Sequence, residues 1–485
     1  MKTLNFRRGV AALAAVVAFA GVAAVCIPKS EFAGANSGPR RWHGTTASGV
    51  TYTDADCPLQ VEKEVLTFDL SEFPSNNGSL QEYLEYSGQV TADYTFKNPT
   101  ENEITATLAF PFGREPSYAP SYDSEGNRVN DVDTEKYTVK IDGADAHPTL
   151  RHTLCYDGFD FDNDVKRIRD DFATDDFYKT DLPVYKYTFT VTADKKEEFY
   201  SVAEIPFDKT KIKIASYNYD VAETDGGLNI TWYHQTTAST VFYAIGGEID
   251  ISEIQWKFYR EKYRFVLFGN SYYEKININN ENVNVNVTLS EQVTFKDFAL
   301  SERQTDSAIS EVDYYNGVVD YLNKLSWRKV LRVNCGESFE YYAMRWYVYD
   351  MTVAAGQTVQ NSVTVPVYPT INGAYASNIY RYEYYLSPAA KWASFGEIEI
   401  IIDTPNYLVG DGEDFTKTDD GYKYTASGLP QGELEFSLSA VEDPYSGNFN
   451  GTAILFTILL VFAVLIALAI VGVGIWAIVY SVKRR

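Results

Sequence analysis

Residues 452–480 hold no charged side chain, and Lys483, Arg484 and Arg485 follow almost at once. An apolar run longer than the roughly 20 residues a helix needs to cross hydrocarbon predicts a transmembrane helix, and a basic end predicts a cytoplasmic tail, here residues 481–485. Residues 1–28 begin with Lys2, Arg7 and Arg8 and continue as an Ala- and Val-rich run, the pattern of an export signal; kept uncleaved, the segment would be a second span. The expectation is a single-pass cell-membrane protein that meets lipid through one C-terminal span and has its N-terminal part extracellular.

Charge narrows the partners. No acidic residue precedes Glu31 or follows Asp443, whereas seven of the 42 basic residues lie at the two ends, so residues 31–451 carry a formal charge of −31. Such a surface repels phosphate backbones and offers no basic stripe for counterion release, which argues against nucleic acid. Of the four cysteines, Cys26 falls in the first apolar run. Cys57, Cys155 and Cys335 allow one disulfide in any of three pairings and form no CxxC site, so the fold must rest on its core.

Between the terminal segments the dominant signal has a period of two. Val90, Ala92, Tyr94 and Phe96 share one face, and after Lys97-Asn98-Pro99-Thr100 so do Ile104, Ala106, Leu108 and Phe110, which predicts a half-buried hairpin. Ile276 and Ile278, then Val283, Val285 and Val287, predict another hairpin around residues 279–282. Val312, Tyr315, Val319 and Leu322 predict an amphipathic helix over residues 310–325, and Val165, Ile168, Phe172 and Phe177 a short one over residues 165–177. The fold class expected is mainly β (α+β): two or three antiparallel β-sandwich-like units with a helical insertion, plus the C-terminal transmembrane helix. Its divisions are a signal peptide (1–28), a flexible spacer (29–56), a first β-sandwich unit (57–155) and an acidic loop with a short helix (156–181). A second β unit (182–270), a hairpin and helix insertion (271–335), a C-terminal β-sandwich unit (336–442) and a spacer (443–451) precede the span (452–480).

Two stretches resemble known families. Val90 to Thr100, reading VTADYTFKNPT, then Leu-Ala-Phe-Pro-Phe-Gly ending at Gly113, then Val139-Lys140-Ile141-Asp142-Gly143, resemble the opening of vault/inter-alpha-trypsin-type domains. That likeness implies a β-sandwich used in extracellular assembly and no catalytic residues; the chain departs from it in the insertion at residues 114–133 and in lacking a following adhesion-type metal-binding domain. Tyr384-Tyr385-Leu386-Ser387-Pro388, with Trp392 and Phe395-Gly396-Glu397-Ile398, is similar to uncharacterised anchored surface proteins of Gram-positive bacteria. That second likeness implies architecture and location only.

Few constellations carry chemistry. Asp160, Asp162 and Asp164 at alternate positions, with Asp171 at the twelfth place, match the oxygen spacing of a calcium loop, and calcium is the one cofactor the sequence suggests. The sixth place is Val165 rather than Gly, and Lys166 and Arg167 add positive charge; the competing reading is a solvated acidic loop capping a helix. Tyr380, Tyr382 and Tyr384 alternate along one strand face and read either as core packing or as a platform for a protein or glycan partner. His147 and His152, separated by Pro148, are too far apart for a helical metal pair and read as loop residues at a strand end. No familiar hydrolase or nucleotide motif is present. The function expected is a membrane-anchored extracellular binding or structural protein rather than an enzyme. The alternatives are an extracellular hydrolase of glycans or peptides, with carboxylates such as Asp160 or Glu248, and a calcium-stabilised adhesin.

Overall fold

The computed structural model describes residues 34–35, 38–46, 49–53, 57–70, 88–113, 138–155, 159–193, 198–216, 221–234, 238–267, 270–278, 283–303, 307–324, 330–332, 342–372, 375, 377–410 and 414–445. The signal, span, tail and Cys335 readings lie outside these residues. Among the described residues no helix is long and apolar enough to cross a membrane.

The chain is mainly β, and its strands sort into two bodies, one inserted in the other. The outer body draws on both ends of the described chain. Its eight-stranded sheet runs Thr416–Lys417, Gly421–Ser427, Phe395–Asp403, Gln60–Asp69, Gly88–Lys97, Thr358–Val367, Thr138–Ile141 and Ala144–Asp145. A five-stranded sheet runs Gly49–Thr53, Gly38–Thr46, Ile104–Gly113, Ala343–Val353 and Thr149–Leu154. A third sheet is built around Ile379–Tyr385 and Leu434–Ser439. One shared core holds them together: Leu66, Phe68, Tyr94 and Phe96 from the first sheet, Leu108, Phe110, Tyr349 and Met351 from the second, and Tyr382, Tyr384 and Phe436 from the third.

Residues 57–155 and 336–442, expected as separate units, are therefore one. Most of the ladders are antiparallel, but Gln60–Asp69 runs parallel to Phe395–Asp403, a pairing no hairpin can make. The stretch 29–56, expected as a flexible spacer, contains Gly38–Thr46, which pairs with Ile104–Gly113 through residues 38–44.

The hairpin expected at residues 90–110 is a corner between sheets. Gly88–Lys97 belongs to the eight-stranded sheet and Ile104–Gly113 to the five-stranded one. The same change of sheet recurs from Ala343–Val353 to Thr358–Val367, and the two corners lock together. Asn98, fully buried, donates from Nδ2 to the carbonyls of Asn102 at 2.7 Å and Val353 at 2.9 Å, while its Oδ1 accepts from Thr100 N at 2.9 Å. Gly356, at φ 64°, closes the second corner and donates its N–H to Thr100 O at 3.1 Å. Only glycine takes that left-handed conformation freely.

The inserted body has two five-stranded sheets. One runs Val283–Thr294, Pro183–Ala193, Ala238–Ile245, Lys213–Ser216 and Val330–Arg332; the other runs Val221–Thr224, Gly227–His234, Phe199–Pro206, Gln255–Leu267 and Asn270–Asn277. Their inner faces meet on Phe189, Val191, Ala203, Ile230, Trp232 and Phe242. Asn270–Asn277 and Val283–Thr294 lie in different sheets, so the second expected hairpin is also a crossover, and residues 182–270 and 271–335 form one unit. Alternation reports which face of a strand is buried; it does not say which sheet the strand joins.

Helix Glu311–Lys324 forms as expected. Tyr315, Val318, Val319 and Leu322 bury against Phe295, Phe298 and Tyr243 of the inserted body, and Leu154 and Ala343 of the outer body enter the same cluster.

Candidate binding cleft

The helix also carries a polar stripe. Asp313, Asn316, Asp320 and Asn323 follow one another at three- or four-residue steps and so share a side. Asp313 binds strand Thr149–Leu154 of the outer body, and the other three bind the segment that passes from that body into the inserted one. Asp313 takes Arg151 in a bidentate pair, at 3.0 and 3.1 Å from Nε and 2.8 Å from Nη2. Asn316 accepts from Ala173 N at 2.7 Å and donates to Asp171 O at 3.0 Å, much as a neighbouring strand would. Asp320 accepts from Arg169 Nη2 at 2.9 Å, and Asn323 donates to Asp175 Oδ2 at 2.6 Å.

This stripe explains why the helix expected over residues 165–177 is not there. Asp160 caps Phe161–Asp164, with Oδ1 accepting from Asp162 N at 3.1 Å, and a single 3-10 turn over Val165–Arg167 follows. Beyond it no further helical turn forms: the Ala173 N–H and the Asp171 carbonyl bond to Asn316, the Arg169 carbonyl accepts from Arg151, and Asp175 N donates to Tyr178 O. Phe172 packs edge-on to Tyr315 with 5.2 Å between ring centroids, and Lys296 Nζ sits 4.0 Å from the Phe172 ring centre.

Between segment and helix lies a cleft of about 360 Å³, lined by Arg169, Asp171, Phe172, Asp175, Val319 and Asn323, with other residues of the segment. Val319, Phe172 and Ala173 make apolar wall and the rest is polar. Arg169 gives Nη2 to Asp320, but Nη1 is buried with no hydrogen-bond partner. The Asp171 side chain is exposed and makes no hydrogen bond among the described residues. A guanidinium and an exposed carboxylate lining one cleft can meet a ligand carrying both charges.

The other residues singled out in the sequence fall elsewhere. The four carboxylates of the calcium reading do not converge, and among the described residues no group of three or more metal-ligating side chains does. Asp160 is committed to the cap, Asp162 pairs with Lys391 at 2.6 Å, and Asp164 accepts from Asp160 N and pairs with Arg167, both at 2.9 Å. A loop that turns into a helix after its first residue cannot wrap its carboxylates around one ion. Tyr380, Tyr382 and Tyr384 are at most 1% exposed and belong to the outer core, which removes the platform reading. His147 occupies an exposed turn at φ 47°, whereas His152 is a buried strand residue rather than a loop one. Cys57 and Cys155 lie in separate core clusters, so that pairing is not formed.

The inserted body does carry a tyrosine row that alternation alone did not single out: Tyr233, Tyr200 and Tyr259 are cross-strand neighbours on an outer sheet face. Tyr200 and Tyr259 stack 4.8 Å apart at 7°, and Lys275 Nζ sits 4.4 Å from the Tyr259 ring centre. These rings cover one another's faces, so the row stabilises the sheet instead of presenting a stacking surface.

No family model matches the chain, and no curated protein matches it. Among solved structures, a Legionella pneumophila protein described as a candidate nutrient binding protein is similar over 84% of this chain and 70% of its own, at 10% identity and a TM-score of 0.32. At that score the likeness carries no argument about fold or function.

Proposed function

We propose that the chain is an exported binding protein, anchored by residues 452–480, that takes a small zwitterionic ligand such as an amino acid or short peptide in the cleft beside helix Glu311–Lys324. The observation that carries this reading is that the Arg169 guanidinium and the uncommitted Asp171 carboxylate line one cleft. The guanidinium suits a ligand carboxylate, the Asp171 carboxylate suits a ligand ammonium, and Val319 and Phe172 offer apolar contact to what lies between. The volume falls within the range of small-molecule sites. Export rests on the basic, apolar N-terminus and on the strong acidity of residues 31–451.

The test is calorimetric titration of the full chain with amino acids and dipeptides, using neutral sugars as the contrasting class. Binding that needs both charges of the ligand and is lost in Arg169→Ala supports the reading. Sugar binding alone, or binding indifferent to Arg169→Ala and Asp171→Asn, would overturn it.

A further inference from the structure

Strand Val283–Thr294 is an edge of its sheet: it pairs with Pro183–Ala193 on one side and with no other strand among the described residues. At 12 residues it is the longest edge strand described, and the next, Asn270–Asn277, has 8 and carries Glu274 and Lys275. Most of the remaining edges are two to four residues long, and Thr149–Leu154 carries Arg151 and lies against the long helix. Proteins blunt exposed edges by shortness, charge or proline, because unpaired N–H and C=O groups are a template for another strand. From Val283 to Leu289 this edge has none of those devices: the strand contains no proline, and its single charged residue, Glu291, and the bulge that skips Ser290 both lie toward its end.

We propose that this edge pairs antiparallel with the same edge of a second copy of the chain, giving a twofold-symmetric dimer whose sheet runs continuously through both inserted bodies. Charge selects the occupant. A chain of net charge −24 repels its own copies over most of its surface, and this nearly uncharged edge is where two copies meet at least cost. The side chains also match themselves. Asn284, Asn286, Thr288 and Ser290 are exposed, while Val283, Val285 and Val287 are half-buried against the core of the inserted body. An antiparallel copy sets polar residues beside polar ones and valines beside valines, and each copy gives the same patch. Leu289 adds an apolar side chain that is 43% exposed in the single chain.

The experiment is the mass of the full chain in detergent by light scattering, with a disulfide scan at Asn284→Cys, Asn286→Cys, Thr288→Cys and Ser290→Cys. The expected result is a dimer, with cross-linking above the parent chain's background that peaks at one position, where the residue faces its own copy across the twofold axis. Asn286→Lys with Thr288→Lys should give a folded monomer whose unfolding midpoint no longer depends on protein concentration; if that variant fails to fold, the cysteine scan decides. A monomeric parent chain, a dimer that survives both lysines, or cross-linking without a preferred position would overturn the proposal. So would a monomer that instead adds an extended segment of another protein at this edge.

Discussion

Arg151 of the outer body and Asp313 of the inserted body form a bidentate ion pair, with side chains 11% and 1% exposed. Asp313 also accepts the His152 backbone N–H at 2.9 Å, so one carboxylate ties a strand of one body to a helix of the other. Its partner guanidinium is held still more firmly in the charged form, against the cost of burial, by Asp313 and by Asp170. Removing one member of a buried pair costs about 3–5 kcal/mol, and because Arg151 keeps Asp170 the lower end of that range applies to Asp313→Ala. Asp313→Ala is expected to lower the urea midpoint by that equivalent and to split unfolding into two steps, because the lost pair spans two bodies. Replacing both residues, Arg151→Met with Asp313→Leu, is expected to recover most of the loss. A single unsplit transition in Asp313→Ala would show that the bodies are coupled by other contacts.

Asn98 makes the corner between the two main sheets of the outer body. In Asn98→Ala the carbonyls of Asn102, Val353 and Ala354 lose an Nδ2 donor together, and the Thr100 N–H loses its acceptor. Each buried group left unsatisfied costs about 1–3 kcal/mol. Water reaches some of these groups in the variant, so the expected total is about 3 kcal/mol, measured by chemical denaturation. Hydrogen exchange should quicken at both corners, residues 97–104 and 353–358.

These corners show where sequence reading succeeds and where it stops. The core face of Gly88–Lys97 was legible because apolar residues alternate, and the long helix was legible from its apolar stripe, but Ile104–Gly113, expected to be half-buried, is buried on both faces from Ala106 onward. Sheet membership was not, because Lys97-Asn98-Pro99-Thr100 serves a hairpin and a sandwich corner equally well. The domain insertion was hidden for the same reason: the parallel pairing of Gln60–Asp69 with Phe395–Asp403 joins segments more than 300 residues apart and leaves no local mark. The cleft could have been suspected from Asp313, Asn316, Asp320 and Asn323, a second stripe on the helix that the apolar one overshadowed. What that stripe holds, residues 169–175, is irregular backbone with no period to read.

Tyr382 separates core packing from surface recognition. It is fully buried and stacks on Phe436 with centroids 5.0 Å apart at 16°. Truncating a large buried aromatic costs about 3–5 kcal/mol. Tyr382→Ala is therefore expected to lower stability by that amount while leaving ligand affinity unchanged at temperatures where the variant is folded. Loss of affinity without loss of stability would restore the platform reading.

His152 and Asp164 give stability opposite pH dependences. Burial, with the positive charges of Arg345 and Arg151, pushes His152 down from 6.5 to about 3, so the folded state keeps the imidazole neutral. That contribution is complete above about pH 6.5 and is lost as pH falls toward 3, because the unfolded chain binds the proton first. Burial pushes Asp164 the other way, from 3.8 up to about 6, although the Asp160 N–H and the charges of Arg167 and Lys324 oppose it. Its contribution is complete below about pH 3.8 and is lost as pH rises toward 6. Between about pH 4 and 6 the two slopes, each about 1.4 kcal/mol per pH unit, oppose one another. In Asp164→Asn, stability should fall more steeply on acidification through this window than in the parent chain. In His152→Gln the change should have the other sign, with stability rising relative to the parent as pH falls from 6 to 4. Urea midpoints taken at half-unit pH steps in the parent and both variants would check this, and parallel curves for all three would refute the assignment of these two groups.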